Sequence, residues 1–468
     1  MFGGCKSRTE RNRSTSLYPE LPGLRRWGWL MKAWKWVSVL LIVVLMGAGW
    51  FGWPLLAGAR KPIRVGLLHS LTGPMAISEA SMVDAEKMAI EEINASGGLL
   101  GRPVEYVVAD GRSDPEAFAR EAERLIREQH VSLIVGCWSS SCRKSVKPVV
   151  ERNDHLLIYP VAYEGLEQSP NIIYTGAAPN QQIIPTVNWC DAELKAKSYF
   201  LIGTNSIWPR SVNTIIKDQL KATGGTLSGE EYVELGATNL DIVVDRAVKA
   251  KPDVILCTIE GDSNLPFYKK IRSAGGEALK IPIVNFVVAE DELRQLPARD
   301  MVNDYSVCNY FQIIDRPENT RVVKNFKARY GEDRMLSDSI VTAYNSVRLW
   351  AQAVRDAETD EVALVRVALL RQSLNAPEGI ISVDRETQHT WRPFYVGKVR
   401  GDGQIAIVWS ITKPIRPVPY PFSRTKEEWN RFLDETYEGW NRNWMPPSTR
   451  AKSSADVSKH PSMIVSKL

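Results

Sequence analysis

Two doubly wound α/β lobes joined by a hinge, each Rossmann-like, are the fold class this sequence predicts, and three observations predict it. Apolar runs of strand length alternate with helical segments from Ile63 to Ser273, which argues for parallel sheets covered by helices. The pattern restarts after Asn180 in units of similar size. The turns after Gly136, Gly203 and Thr258 resemble one another, each bringing Ser, Asn, Asp or an aromatic residue to the carboxyl end of a strand. Open α/β sheets bind ligands at that edge, so two such rims facing each other make a clam-shaped cleft.

The elements follow in order. Ile63–Leu68 is a strand with a polar turn, His69–Gly73, at its end. A helix from about Ser78 to Ala95 places Met82, Ala85, Met88, Ala89 and Ile93 near a 3.6-residue period, and Gly97-Gly98 stop it. Val104–Ala109 is the second strand. Asp114 caps a helix over 115–128, with Pro115 at its first position. Leu133–Val135 ends at Gly136, and Ser139, Ser140 and Ser141 then offer hydroxyls and capping oxygens. A helix over 145–152 is interrupted by Pro148. Leu156–Ile158 is the next strand, and Tyr159–Tyr163 its exit loop.

The second series begins with a short strand, Ile172–Thr175, and a helix over 182–194. Strands follow at 198–203, 230–235, 254–258, 281–288 and 305–310, separated by helices. Residues 320–374 are strongly helical, and Val341–Val354 returns to the first lobe. Short β-runs occupy 380–383, 393–399 and 404–410, and the proline-rich Lys413–Pro421 is extended. The resulting division is 60–180 and 312–377 for the first lobe, and 181–311 and 378–421 for the second. A C-terminal extension covers 422–446, and a disordered tail 447–468.

Composition bounds the function. A chain of 468 residues, 44% hydrophobic and 24% charged, has room for two or three cores. Its net charge of +5 is made of +6 in residues 1–59 and −1 in the rest. The folded part is thus near neutral, and charge gives no support to a nucleic-acid partner.

Residues 36–59 carry no charge, and two readings compete. As a membrane span they anchor the chain through 36–57, with the basic side cytoplasmic. As a signal peptide they have Lys32 and Lys35 before an apolar Val37–Met46, a helix break at Pro54, and Ala57-Gly58-Ala59 for cleavage. Both predict export to the periplasm. Cys5 has no apolar segment before it, so a lipoprotein anchor is unsupported.

The six cysteines show no metal-binding spacing. Cys257 and Cys308 read as buried thiols, and Cys137 and Cys142 could pair only with Cα atoms within about 7 Å. No GxSxG, HExxH, Walker A or GxGxxG stands in a fitting context, and Ser141-Cys-Arg-Lys144 lacks the other elements of a Ser/Lys hydrolase. The expectation is a binding protein without catalysis, metal or cofactor.

Several segments carry a family resemblance: Gly66-LLHSLTG, Met75-AISEASMVDAEKMAIEEINASGG, Arg143-KSVKPVVER, Tyr159-PVAYEG, Asn171-IIYTGAAPNQQ, Gly261-DSN and Pro414-IRPVPY. From about Ile63 to Tyr420 the chain resembles the type I periplasmic binding proteins of the branched-chain amino-acid class. Within these it looks most like the urea and short-chain amide group. The resemblance implies a solute-binding component of an ABC importer, taking a small neutral polar solute and presenting it to permease subunits in the inner membrane. An exported or membrane-tethered sensor without a transport role is the alternative.

The resemblance also implies site residues. Ser140, with Ser139 beside it, matches the position whose hydroxyl and amide hold the ligand, and Tyr159 and Tyr163 match the flanking aromatics. Trp138 stands where the group has Trp or Tyr, and Val161 where the urea branch has Val. Ser206 departs from the family, which has a tyrosine there, and Trp208 refills that space. Asp262 is an acceptor for amide hydrogens. The structural alternatives are core packing for Trp138 and Trp208, a helix cap for Ser140 or Asp262, and loop packing for Tyr159.

Overall fold

The computed structural model describes residue 34, residues 61–276 and residues 280–447. The N-terminal segment read as signal peptide or anchor, Trp34 apart, and the tail from residue 448 lie outside the described residues.

The first sheet is parallel throughout. Its strands are β1 (Ile63–His69), β2 (Val104–Asp110), β3 (Leu133–Gly136), β4 (Leu157–Tyr159) and β5 (Ile172–Tyr174), in the order β2-β1-β3-β4-β5. All residues of β3, β4 and β5 are buried, as expected of parallel strands covered on both faces. Helices α1 (Ala76–Ala95), α2 (Pro115–Arg127) and α3 (Ser140–Arg152) make the crossovers. The Asp114 carboxylate accepts the Ala117 N–H at 2.7 Å, and Pro115 opens α2, as the sequence predicts.

Helix α3 differs from expectation. It starts at Ser140 rather than Ser145 and continues through Pro148. The proline removes one helical N–H, but Val146, Val149 and Val150 are buried on one side and Arg143 is anchored at the start. Packing therefore overrides the break.

The second series comprises α4 (Ile183–Ala192), β6 (Ser198–Thr204), α5 (Ile207–Thr223), β7 (Thr226–Val233), α6 (Asp241–Ala250), β8 (Val254–Thr258), α7 (Asn264–Ser273), β9 (Ile283–Asn285), α8 (Glu290–Leu293) and β10 (Tyr305–Cys308). Helices α9 (Pro317–Tyr330), α10 (Asp338–Ala357) and α11 (Val362–Leu369) follow. Strands β11 (Ser373–Ala376), β12 (Gly379–Val383), β13 (Thr390–Val399) and β14 (Ile405–Ile415) come next, then α12 (Lys426–Gly439). The sheet order is β11-β12-β13-β10-β9-β8-β6-β7, with β14 on β13. Strands β6 to β10 are parallel, and β11 to β14 extend the sheet in antiparallel fashion.

Helix α10 packs on α1 and β3, so the helical stretch does return to the first sheet. Ser373–Ala376 already pairs with β12, which puts the change of sheet at 373 rather than 378. The crossing after β5 is fastened by Gln182, whose amide donates to Phe286 O at 3.2 Å and Val307 O at 2.7 Å. The two rims meet where Asp262 N–H donates to Pro74 O at 3.2 Å.

Candidate functional site

At the end of β3 the chain passes so close to β1 that a Cβ on Gly136 would lie 2.0 Å from Leu68 O, and Gly136 has φ +142°. Only glycine suits that position. The turn that follows presents Trp138 to the space between the sheets. Ser139 is the cap of α3, its Oγ accepting Cys142 N–H at 3.2 Å. Cys137 and Cys142 are buried free thiols, so the pairing considered above does not form.

The structure brings Ser140, Tyr159 and Tyr163 together around one of the protein's own side chains. Arg143 is fully buried. Its Nη2 donates to Glu164 at 2.8 Å, its Nε to Glu167 at 3.0 Å and its Nη1 to Ser140 Oγ at 3.0 Å. Its guanidinium carbon sits 4.8 Å from the Tyr159 ring centroid and 4.3 Å from that of Tyr163. The Ser140 hydroxyl donates to the second Glu164 oxygen at 2.5 Å.

Burial opposes the charge on Glu167, but Arg143 and then Lys144 overcome it and hold the carboxyl at about 2. Tyr163 stacks on Tyr174, which stacks on His389, with centroids 5.1 and 4.3 Å apart. Burial pushes His389 down to about 4. The ring is thus neutral at pH 7, its Nε2 accepting the Tyr163 hydroxyl at 2.5 Å. The constellation has the chemistry expected for a planar, nitrogen-rich group, and a guanidinium fills it. Tyr159 extends the network outward, its hydroxyl donating to Trp138 O at 2.5 Å.

Next to this network lies a cavity of about 40 Å³. Trp138, Val161 and Ala162 line it from the first sheet, and Trp208, Phe286 and Ala289 from the second. Gln182, Glu292, Ser337 and Asp338 bring polar groups to its wall. Of the residues singled out in the sequence, Trp138, Val161 and Trp208 line this cavity. Ser206 occupies the N-cap position of α5 without a side-chain cap bond, and its hydroxyl donates to buried Glu260. Burial lifts Glu260 to about 8. Asp262 is exposed and meets the first sheet through its backbone rather than reaching the cavity.

Sequence reasoning missed Phe286, Glu292, Ser337 and Asp338. Phe286 follows β9 as Trp138 follows β3, so the strand-end rule could have found it. The other three come from helix starts with no motif around them.

Burial and then the Asp291 charge raise Glu292 to about 7. Asp338 is raised by burial against the opposing pull of Arg392, whose Nη2 donates to it at 3.0 Å. Among the described residues no lysine, arginine or histidine lines the cavity.

The pattern of the periplasmic binding protein domain matches residues 63–426. The chain belongs to this family. Proteins named for binding amino acids appear among its relatives. The leucine-, isoleucine-, valine-, threonine-, and alanine-binding protein of Pseudomonas aeruginosa is 21% identical over 70% of this chain and 87% of its own length. The Leu/Ile/Val-binding protein BraC3 of Rhizobium johnstonii is 24% identical over 42% of this chain. The match spans only 54% of BraC3, and 21% of a Geobacillus stearothermophilus limonene hydroxylase that is 30% identical over 25% of this chain.

Solved structures share the periplasmic binding protein type I fold. A leucine binding protein from Thermotoga maritima has a TM-score of 0.65 at 17% identity, covering 75% of this chain and 98% of that one. A solute binding protein from R. palustris in complex with benzoate has 0.68 at 18%, covering 76% and 98%. Among the described residues no helix is long and apolar enough to cross a membrane.

Proposed function

We propose that this chain is the exported solute-binding component of an ABC importer, and that its solute is urea or a short-chain aliphatic amide. The observation that carries the choice of solute is the size of the cavity between the sheets. The cavity measures about 40 Å³, enough for a molecule of a few heavy atoms. Urea, formamide and acetamide are of that size. Isoleucine and benzoate, which relatives of this fold hold, are far larger and carry a carboxylate. Glu292 on the wall, with no cationic side chain among the described residues of the lining, disfavours a carboxylate further, whereas Asp338 is paired with Arg392.

Capture follows from differential affinity. A solute that touches Trp138 on one side and Trp208 on the other gains both contacts only when the rims are together, so it shifts the population toward the closed form. Delivery to a permease needs no covalent step, and the proposed role is not enzymatic.

The test is isothermal titration calorimetry on the full chain in mild detergent with urea, formamide, acetamide, leucine and benzoate. Saturable heat with urea or an amide, and none with leucine or benzoate, is the expected result. Saturable heat only with leucine or benzoate would overturn the proposed solute.

A further inference from the structure

Where the two rims meet, one carboxyl is buried with no cation beside it. Glu260 lies two residues past β8 and is 2% exposed. The turn it opens rests on the rim of the first sheet: Asp262 N–H donates to Pro74 O at 3.2 Å, and a Cβ on Gly261 would lie 2.6 Å from that oxygen. On its own side, Glu260 N–H donates to Thr204 Oγ1 at 2.8 Å and the Ser206 hydroxyl donates to its Oε2, while Oε1 has no partner. The charged group that faces it comes from the first sheet and is a second carboxylate, Glu164. Glu164 has the Arg143 Nη2 at 2.8 Å and the Ser140 hydroxyl at 2.5 Å. Among the described residues no lysine, arginine or histidine pairs with Glu260. Each sheet thus brings one carboxyl and one serine to the junction, and only the first supplies a guanidinium.

A carboxyl taken out of water with one hydroxyl for a partner keeps its proton rather than its charge. Burial first, and the Glu164 charge with it, lift Glu260 to about 8 against the pull of Ser206. When the rims part, the turn leaves Pro74, Glu164 withdraws, and water reaches the carboxyl, which returns toward its ordinary 4.5. We infer that closing the rims takes up one proton on Glu260, so that the closed form, and with it the hold on solute, weakens as pH rises. A proton bound more tightly in the closed form supports closure fully below about 4.5, and that support is lost as pH rises toward about 8. Within that window each pH unit changes the ratio of closed to open by up to about tenfold. The effect is the same for any solute that needs the rims together, so it stands or falls apart from the choice of urea or an amide.

Hydrogen exchange read by mass spectrometry tests this on the full chain in mild detergent, with no solute present. The reporter is the peptide across Gly261–Ser263, because the Asp262 N–H bridges the rims. Its protection, corrected for the intrinsic rate at each pH, is compared at pH 6 and pH 9. The wild type is expected to lose about tenfold or more. Glu260→Gln is neutral at both values and should lose less than about threefold. Glu290, Glu292 and His69 are also raised into this range, but they are common to both proteins and cancel in the comparison. Ser206→Ala removes the hydroxyl that favours the charged form, so its loss of protection should move to higher pH.

The same pH dependence in Glu260→Gln as in the wild type would overturn the inference. So would a loss shared equally by the β8 peptide, Val254–Thr258, since that is unfolding of the sheet and not parting of the rims. Should Glu260→Gln not fold, Ser206→Ala decides, and an unchanged midpoint there sinks the proposal.

Discussion

Replacing Arg143 with methionine keeps much of the side chain's apolar bulk and deletes its charge. The guanidinium is fully buried and contacts two carboxylates, one hydroxyl and two aromatic rings. After the change Glu167 still has Lys144 at 3.2 Å and the Tyr174 hydroxyl at 2.9 Å. Glu164 keeps only the Ser140 hydroxyl. Removing one partner of a buried pair costs about 3–5 kcal/mol, because the other charge stays buried. With the stranded Glu164 carrying most of the effect, the expected loss is about 4 kcal/mol, a large share of the roughly 5–15 kcal/mol that holds a folded domain. The assay is unfolding in guanidinium chloride, since urea is a proposed ligand, followed by tryptophan fluorescence at pH 7. The double variant Arg143→Met with Glu164→Gln should recover about half the loss, as the uncompensated charge is then gone. A loss under about 1 kcal/mol, or no recovery in the double variant, would refute the reading of Arg143 as a buried strut.

Further expectations concern the turn, the C-terminal helix and pH. Gly136→Ala forces a Cβ to within 2.0 Å of Leu68 O at a φ of +142°, so it should cost about 3 kcal/mol or more in the same unfolding assay and abolish solute heat by displacing Trp138. Trp429 is completely buried and its indole donates to Pro421 O at 2.9 Å; Trp429→Ala should lower stability by about 3–5 kcal/mol, and a loss under about 1 kcal/mol would mean α12 is not docked. Thermal melts should show stability falling from pH 6.5 to pH 10, above the range in which His389, pushed down to about 4, gains stability with pH. Glu260 and Glu290 are raised by burial to about 8, so the folded state keeps protons that the unfolded chain releases above its ordinary value of 4.5, and stability is lost between about 4.5 and 8. His69, where Glu86 and Glu79 outweigh burial, is raised to about 10; its contribution is complete below 6.5 and lost from there to about 10. A melt temperature that rises over that range would contradict both assignments, and His69→Gln should flatten its upper part.

Much of the fold was legible because parallel buried strands are continuous apolar runs, and β1, β3 and β8 announce themselves that way. The strand β7 was placed at 230–235 and runs from Thr226 to Val233 instead. Its first residues are exposed on a sheet edge, where no apolar pattern is needed and none is written. The start of α3 was misplaced for a different reason: Pro148 has a strong local preference, and buried valines with an anchored Arg143 outweigh it. At the site, the family resemblance picked out Trp138, Val161 and Trp208, which do line the cavity. It could not tell that Ser140, Tyr159 and Tyr163 would meet Arg143 rather than face the cavity, because which group fills a polar cradle is decided by three-dimensional proximity. Glu292 and Ser337 come from separate helix starts, and no spacing rule links them to β3.

The inward-facing cradle changes the role of its residues without making them idle. Tyr159 holds the Trp138 carbonyl at 2.5 Å, so the Arg143 network fixes one wall of the cavity from behind. That network is on α3. The opposite wall, Trp208, is on α5. The C-terminal segment touches both helices: Arg424 forks onto Asp218 of α5 at 2.6 and 3.0 Å, and the Trp444 ring lies 4.5 Å from the Lys144 ammonium of α3. Separating the two walls therefore does not require breaking the buried Arg143 pairs, which would cost about 3–5 kcal/mol. The Arg424 pair in that segment is partly open to solvent, with Arg424 31% exposed, and such pairs are worth about 1 kcal/mol or less each. The buried Arg143 network thus keeps one wall rigid, and the contacts that tie the C-terminal segment across α3 and α5 are the weaker ones.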